Sequence, residues 1–417
     1  MAVLLAFLYI FQFPIFDIPI INSSHICFVI LIIALFVNRK YRQTLLSILT
    51  NKKVIRIFIV LLLIMFYALL VPVFKGTYDF SIEKPLFNQL VQIFIGSFLF
   101  TYLYVKEKHI PVVIIEAFFI QSLIMGAAFL SSKINTLLNN FRGAELIDFI
   151  GQREWYQGIR GLGVAGSSFF GLAIGFGMVY ILLVRYYKEI PIKSTIIRFI
   201  YLLILIAAGV SAGRISLVGL GVAALYFLFN MLKHKKRRKG PKRINIITLF
   251  TSVTVIILIF ISSPLWFNSL RNNATISRFL NWAFEFYYKL QSSGQLTTSS
   301  TSKLQQMYFQ VSGSTFFFGD GRYTNPDQSY YMSTDAGYMR NILFFGLIGL
   351  LFLVLYQLLL FNWRKELRFS VFAFMCLLIF HIKGETIGFS LMTQNILFLT
   401  FLFQTFTSHF NFEATSQ

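Results

Sequence analysis

The chain has 417 residues, 57% of them hydrophobic and 13% charged, with a mean hydropathy of +0.70. About a quarter of the residues of a soluble domain are charged, so a soluble fold is excluded and an all-α polytopic membrane protein is expected. Lys and Arg outnumber Asp and Glu 37 to 16, for a formal net charge of +21.

Apolar runs near the roughly 20 residues needed to cross a bilayer recur along the chain. Twelve spans are predicted (11 to 13 allowing for boundaries): 2–17, 24–38, 55–74, 86–105, 110–130, 163–184, 197–211, 214–232, 244–264, 338–361, 369–384 and 388–408. Together they form a single transmembrane domain over 1–417. "MAVLLAFLYIFQFP" has neither a basic leader nor a small-residue cleavage site, so it reads as a retained span. Cys27 and Cys376 both lie in apolar runs, with no spacing for a disulfide or zinc.

Basic patches at 39–56, 106–108, 185–198, 233–243 ("KHKKRRKGPKR") and 364–368 all fall on one side of a twelve-span chain. The positive-inside rule makes that side, and both termini, cytoplasmic. Basic clusters flank 199–232 at both ends, so the chain crosses and returns there, and Arg214 of "SAGRISLVGLG" stands at the turn, about 24 Å from Arg198. A lone arginine there can snorkel to outer headgroups. Arg160, Arg340 and Lys383 also border spans on the outer side, against the insertion preference, and a bound anion explains the group. Glu116, near the cytoplasmic end of its span, is assigned no chemistry.

Two outer segments are long, 131–162 and 265–337, the second lying between spans nine and ten. Long loops in compact proteins generally bind or gate something. "SRFLNWAFEFYYKL" places Phe279, Trp282, Phe286 and Leu290 at helical spacing, an amphipathic surface helix near 277–290. The following "QSSGQLTTSSTS" is expected to be mobile. Next comes "FFFGDGRYTNPDQSYYMSTDAGYMRN", in which Arg322, Tyr323, Tyr330, Tyr331 and Tyr338 are candidates for glycan contact, although tyrosines at this depth also serve as membrane belts. Asp335 reads equally as a general base or as a helix N-cap. In "FHIKGETIGFS", His381 and Glu385 are four apart and share a helical face. They are candidate catalytic groups, unless Glu385 merely pairs with Lys383.

No P-loop, HExxH, CxxC pair or DxD triplet occurs. A nucleotide-driven pump, a zinc protease and a metal-dependent sugar-nucleotide transferase therefore lose support. An enzyme that handles a diphosphate without metal needs its own cations, and arginine supplies a bidentate fork.

"RGLGVAGSS", "SAGRISLVGLG", "GDGRY", "DAGYMRNILFFGLIGLL" and the late "HIKGE" together resemble the O-antigen and capsular polysaccharide polymerases (Wzy type) of the O-antigen polymerase and ligase superfamily. The resemblance is best over 158–386. It implies a metal-independent inverting glycosyltransferase of GT-C-like architecture in the bacterial cytoplasmic (inner) membrane, with its active site facing outward. Undecaprenyl-pyrophosphate-linked glycans would be both donor and acceptor, with no cofactor and no nucleic acid. By the same resemblance Arg160 and Arg214 hold the pyrophosphate, and Arg340 and Lys383 are added as candidates from their place at outer span ends. Asp335 falls where ligases carry a histidine, and Glu385 is the alternative base. Membrane lipid is a partner, and a chain-length regulator is one that the resemblance alone suggests. The competing readings are an O-antigen ligase acting on lipid A core and a lipid-linked oligosaccharide flippase. A flippase calls for midplane charges and short loops on both sides.

Overall fold

The structure is a computed structural model that describes residues 1–15, 21–142, 147, 161–235, 277–278, 281–282, 285–294, 297–327 and 329–407. Its described elements are helices, with two isolated antiparallel bridges, Pro14–Asn22 and Thr324–Tyr330. In chain order the helices are α1 (Ala2–Phe11), α2 (Ser23–Val37), α3 (Arg39–Leu49), α4 (Lys52–Phe74), α5 (Glu83–Val105), α6 (Ile110–Leu130), α7 (Ser132–Asn139) and α8 (Phe169–Tyr186). There follow α9 (Thr195–Ala212), α10 (Ser216–Lys235), α11 (Glu285–Ser293), α12 (Ser299–Gln306), α13 (Gly313–Phe318), α14 (Gly337–Leu359), α15 (Leu367–Lys383) and α16 (Leu391–Phe406).

Among the described residues six helices are long and apolar enough to cross a membrane: α4, α5, α6, α8 with its 3-10 extension to Glu189, α9 and α14. The chain is thus a helical protein built to lie in a membrane. A helix stands at each predicted span except 244–264, which lies outside the described residues. The first is shorter than expected, because Gln12 turns left-handed (φ 46°) after Phe11. Side-chain caps start several helices: Asn51 accepts from Lys53 N (2.9 Å) at α4 and Ser168 from Gly171 N (3.2 Å) at α8.

The outer segments are more structured than their sequence suggests. Segment 131–162 opens with α7, and the larger one carries α11, α12 and α13. The connector expected to be mobile becomes helical at Ser299, because Thr298 caps that turn by accepting from Thr301 N (3.2 Å). Of the amphipathic helix expected near 277–290, residues 277–278 and 281–282 are helical and α11 begins at Glu285, while Phe279 lies outside the described residues.

α8 is the centre of the bundle and touches α6, α9, α10, α15 and α16. Its Gly177 meets Gly219 of α10 backbone to backbone, where a Cβ on Gly219 would run into the Gly177 Cα. Small residues let membrane helices approach this closely and gain dispersion energy. α1, α5 and α16 are joined through Tyr9, whose hydroxyl donates to Gln92 O (2.9 Å) and whose carbonyl accepts from Asn395 Nδ2 (3.1 Å).

α14 is broken. Gly346 has φ 66°, ψ −173° inside the helix, which strips the preceding turn of its i+4 donors. Those carbonyls are bonded from outside: Asp320 N donates to Leu343 O (2.6 Å), Gly321 N to Phe344 O (3.2 Å) and Tyr67 Oη to Phe345 O (3.1 Å). A side chain on Gly346 would collide with Phe317 O. The "GDGRY" loop therefore lies on the helix because its backbone completes it, as a broken membrane helix requires. The end of the bundle that carries this loop is called the outer end below.

Candidate functional site

The site begins where α14 starts. Gly337 packs so closely on the end of α15 that a Cβ there would lie 2.5 Å from His381 O and 2.7 Å from Gly384 O. One turn on, Arg340 points inward with 8% of its side chain exposed and bonds Glu385 through Nη1–Oε2 at 3.1 Å. The Arg340 guanidinium lies between two tyrosine rings, 3.8 Å from the Tyr323 centroid and 4.0 Å from that of Tyr330. The Tyr323 hydroxyl donates to the same Glu385 oxygen. Tyr323 is held from below, because Asp79 Oδ2 accepts from Tyr323 N (2.6 Å) and Thr324 N (2.9 Å). Glu385 Oε1 and Arg340 Nε are buried with no hydrogen-bond partner.

Glu385 does not share a helical face with His381. α15 stops at Lys383 and Gly384 is extended (φ −170°, ψ 168°), so Glu385 swings away to Arg340 and not to Lys383. His381 is fully buried. Its Nδ1 accepts from Thr386 N (3.0 Å) and Ile387 N (3.2 Å), and its Nε2 lies 2.9 Å from the Asn341 amide. A ring whose Nδ1 accepts two N–H groups carries its proton on Nε2, so the Asn341 oxygen faces it. His381 clamps the turn that bears Glu385.

Asp335 is exposed and lies just outside α14, whose N-cap is Ala336 with no side-chain bond. The capping alternative is thereby removed. Burial on its inner side raises the Asp335 carboxyl above the usual range, while the charges of Lys383 and Arg340 pull it down. Burial likewise raises Glu385, with Arg340 and the Tyr323 hydroxyl opposing.

Arg214 has a different partner. Its Nη1 bonds Glu285 Oε2 (2.7 Å) and Trp282 O (3.0 Å), and its guanidinium lies 5.2 Å from the Trp282 ring centroid. Glu285 also accepts from Ser299 N (2.7 Å) and pairs with Lys289 (3.2 Å). Burial works against its ionisation, but the Ser299 N–H and Arg214 hold it down at about 2. Arg160 lies outside the described residues. Its neighbour Gly161 donates to Ser211 O (3.3 Å), beside the turn that carries Arg214.

Two expected glycan contacts are otherwise engaged. Tyr338 donates to Leu378 O (3.1 Å) and presents its ring to the edge of His381 (4.6 Å). Tyr323 faces Arg340. Arg322 is exposed over the Tyr331 ring (5.7 Å), and Tyr331 reaches Asp320 Oδ2 (3.4 Å).

No protein family, curated protein or solved structure matches the chain. The site is therefore read from its own geometry.

Sequence reasoning missed Asp79, which has no motif around it, and Arg142. Arg142 is buried, with Nε to Gly163 O (3.1 Å) and Nη1 to Asn135 (3.0 Å) and Asn139 (2.8 Å). The i, i+4 asparagine pair of α7 followed by an arginine was the available signal for this bond.

Proposed function

We propose that the chain is a polysaccharide polymerase of the Wzy type, joining undecaprenyl-pyrophosphate-linked repeat units into O-antigen or capsular polysaccharide at the outer face of the cytoplasmic membrane. A twelve-span, GT-C-like arrangement with both termini cytoplasmic is part of this proposal. The observation that carries it is a division between two carboxylates at the outer helix ends. Asp335 stands open to solvent within reach of the Arg340 and Lys383 charges, while Glu385 is occupied by Arg340 and Tyr323. One carboxylate is accessible, and a second fixes the Arg340 cation.

In this reading an acceptor hydroxyl attacks the anomeric carbon of the growing chain, Asp335 takes its proton, and the lipid pyrophosphate leaves. The new C–O bond forms as the anomeric C–O–P bond breaks, with inversion. The leaving group is a stable anion, so the cations serve the charge that grows on it. Arg214 and Lys383 are the candidate cations, with Arg160 next to Gly161, which bonds the turn that carries Arg214. Arg214 engages Glu285 through Nη1, and the diphosphate would share that guanidinium with it.

The test is reconstitution with one lipid-linked repeat unit and no nucleotide sugar. A ladder of longer glycans is expected, slowed about 10²–10⁴-fold by Asp335→Asn, as befits a lost general base. A single transferred product would support a ligase, and relocation without new glycosidic bonds a flippase. Loss of turnover on Glu385→Gln in protein that is still folded, with an active Asp335→Asn, would move the base to Glu385.

A further inference from the structure

The end of the bundle opposite the outer loop carries a shelf of unmatched positive charge. α4 and α14 run antiparallel, and Tyr67 fixes their register by bonding Phe345 O (3.1 Å) and packing on Phe352 (5.8 Å). At 1.5 Å per residue, roughly 21 Å along each helix from the Tyr67–Phe345 bond leads to Lys53 on one and to Leu359, the last residue of α14, on the other. Arg364 and Lys365 stand in the turn that follows, and the charges of both act on Lys53. Lys52 and Arg56 share the exposed face of α4's first turn with Lys53. Beside them lies α3, bent 117° from α2 and seated on the same end of α5 through Tyr41 stacked on Tyr102 (5.9 Å). α3 exposes Lys40 on one side and Leu46, 61% exposed, on another.

These six cations form no ion pair among the described residues. Segment 38–56 contains no Asp or Glu. The one acid in the facing turn, Glu366, is held by Arg185 at 2.6 and 2.9 Å. Like charges from two segments repel unless an anion lies between them. A helix that lies across the bundle end with cations and leucines on its surface is built for a headgroup boundary. We propose that Lys40, Lys52, Lys53, Arg56, Arg364 and Lys365 form a binding site for anionic phospholipid headgroups, with α3 in the interface above their acyl chains. The phosphodiester sits between the first turn of α4 and the turn after α14, and so holds those two helix ends together.

The experiment uses the full-length protein in nanodiscs of phosphatidylcholine containing one-fifth phosphatidylglycerol, followed by extraction and native mass spectrometry of retained lipid. Wild-type protein is expected to keep phosphatidylglycerol over phosphatidylcholine. The combined variant Lys52→Gln, Lys53→Gln, Arg364→Gln and Lys365→Gln should lower that preference at least about tenfold, since each cation near an anionic surface contributes. A control variant that neutralises Lys75, Lys84, Lys133 and Lys303 should keep it. Equal loss in both variants would overturn the proposal by assigning the preference to net charge, and unchanged retention in the first would overturn it directly. Displacement of the lipid by millimolar inorganic phosphate would also overturn it, by making the site one for free anions. Binding is measured on protein whose thermal transition is intact, so a misfolded variant is recognised as such.

Discussion

Arg340 shows how one cation is kept below the surface of an apolar protein. A buried guanidinium needs charge compensation and a polarisable surround, and Glu385 and the two tyrosine faces supply them. Lysine keeps the charge but cannot fill a flat slot between two rings. Arg340→Lys is therefore expected to lower stability by about 1–3 kcal/mol, read as a lower midpoint of thermal unfolding in detergent. Glu385→Gln leaves the arginine buried without its counter-charge and should cost more, about 3–5 kcal/mol, which a double variant with Arg340→Met would partly restore. Arg340 and Glu385 were legible as candidates because charged residues beside apolar runs are conspicuous, and Tyr323 because it stands in a Gly- and Tyr-rich stretch. Their mutual contact was not, because it depends on Gly384 ending α15 and on Asp79 holding a backbone from far away in sequence.

At the scale of elements, hydropathy located helices, six of which are long and apolar enough to cross a membrane among the described residues, since a long apolar run has few alternatives to a helix. It gave no sign that α14 is interrupted, because Gly346 sits in "FFGLIG" with nothing polar near it. The signal lies in pairing: the loop that supplies Asp320 N and Gly321 N needs carbonyls released by a break. Gly346→Ala would place a side chain at φ 66° and against Phe317 O, a strain of about 1–3 kcal/mol before the collision is counted. The expected result is a looser outer loop, visible as faster amide exchange at 320–324, with the lower half of α14 still protected. In the outer loops, polar sequence concealed α12 and α13, whose caps Thr298 and Ser312 make short helices out of serine-rich stretches.

For the whole molecule, the outer loop is fastened to the bundle at two carboxylates, through the Tyr323 hydroxyl on Glu385 at one place and through Glu285 on Arg214 at the other. Glu285 titrates at about 2 in the folded chain, below its ordinary 4.5. A depressed carboxyl stabilises the fold above its ordinary value, and that contribution disappears as the pH falls from about 4.5 through 2. The α11 contact should therefore hold at neutral pH and open only in that acid window. Fluorescence of Trp282, in a chain with its other tryptophans changed to phenylalanine, would follow the opening. Glu285→Gln should show the opened signal already at pH 7.

The hydrogen bonds from Tyr323 and Thr324 to Asp79 bear on how such chains can be recombined. The short α4–α5 connection carries no chemistry in the proposed reaction, yet it acts as the seat for the segment that does. A chimera that borrows residues 313–341 from another protein without that seat would inherit the side chains and lose their aim, so the two stretches must be exchanged as a unit.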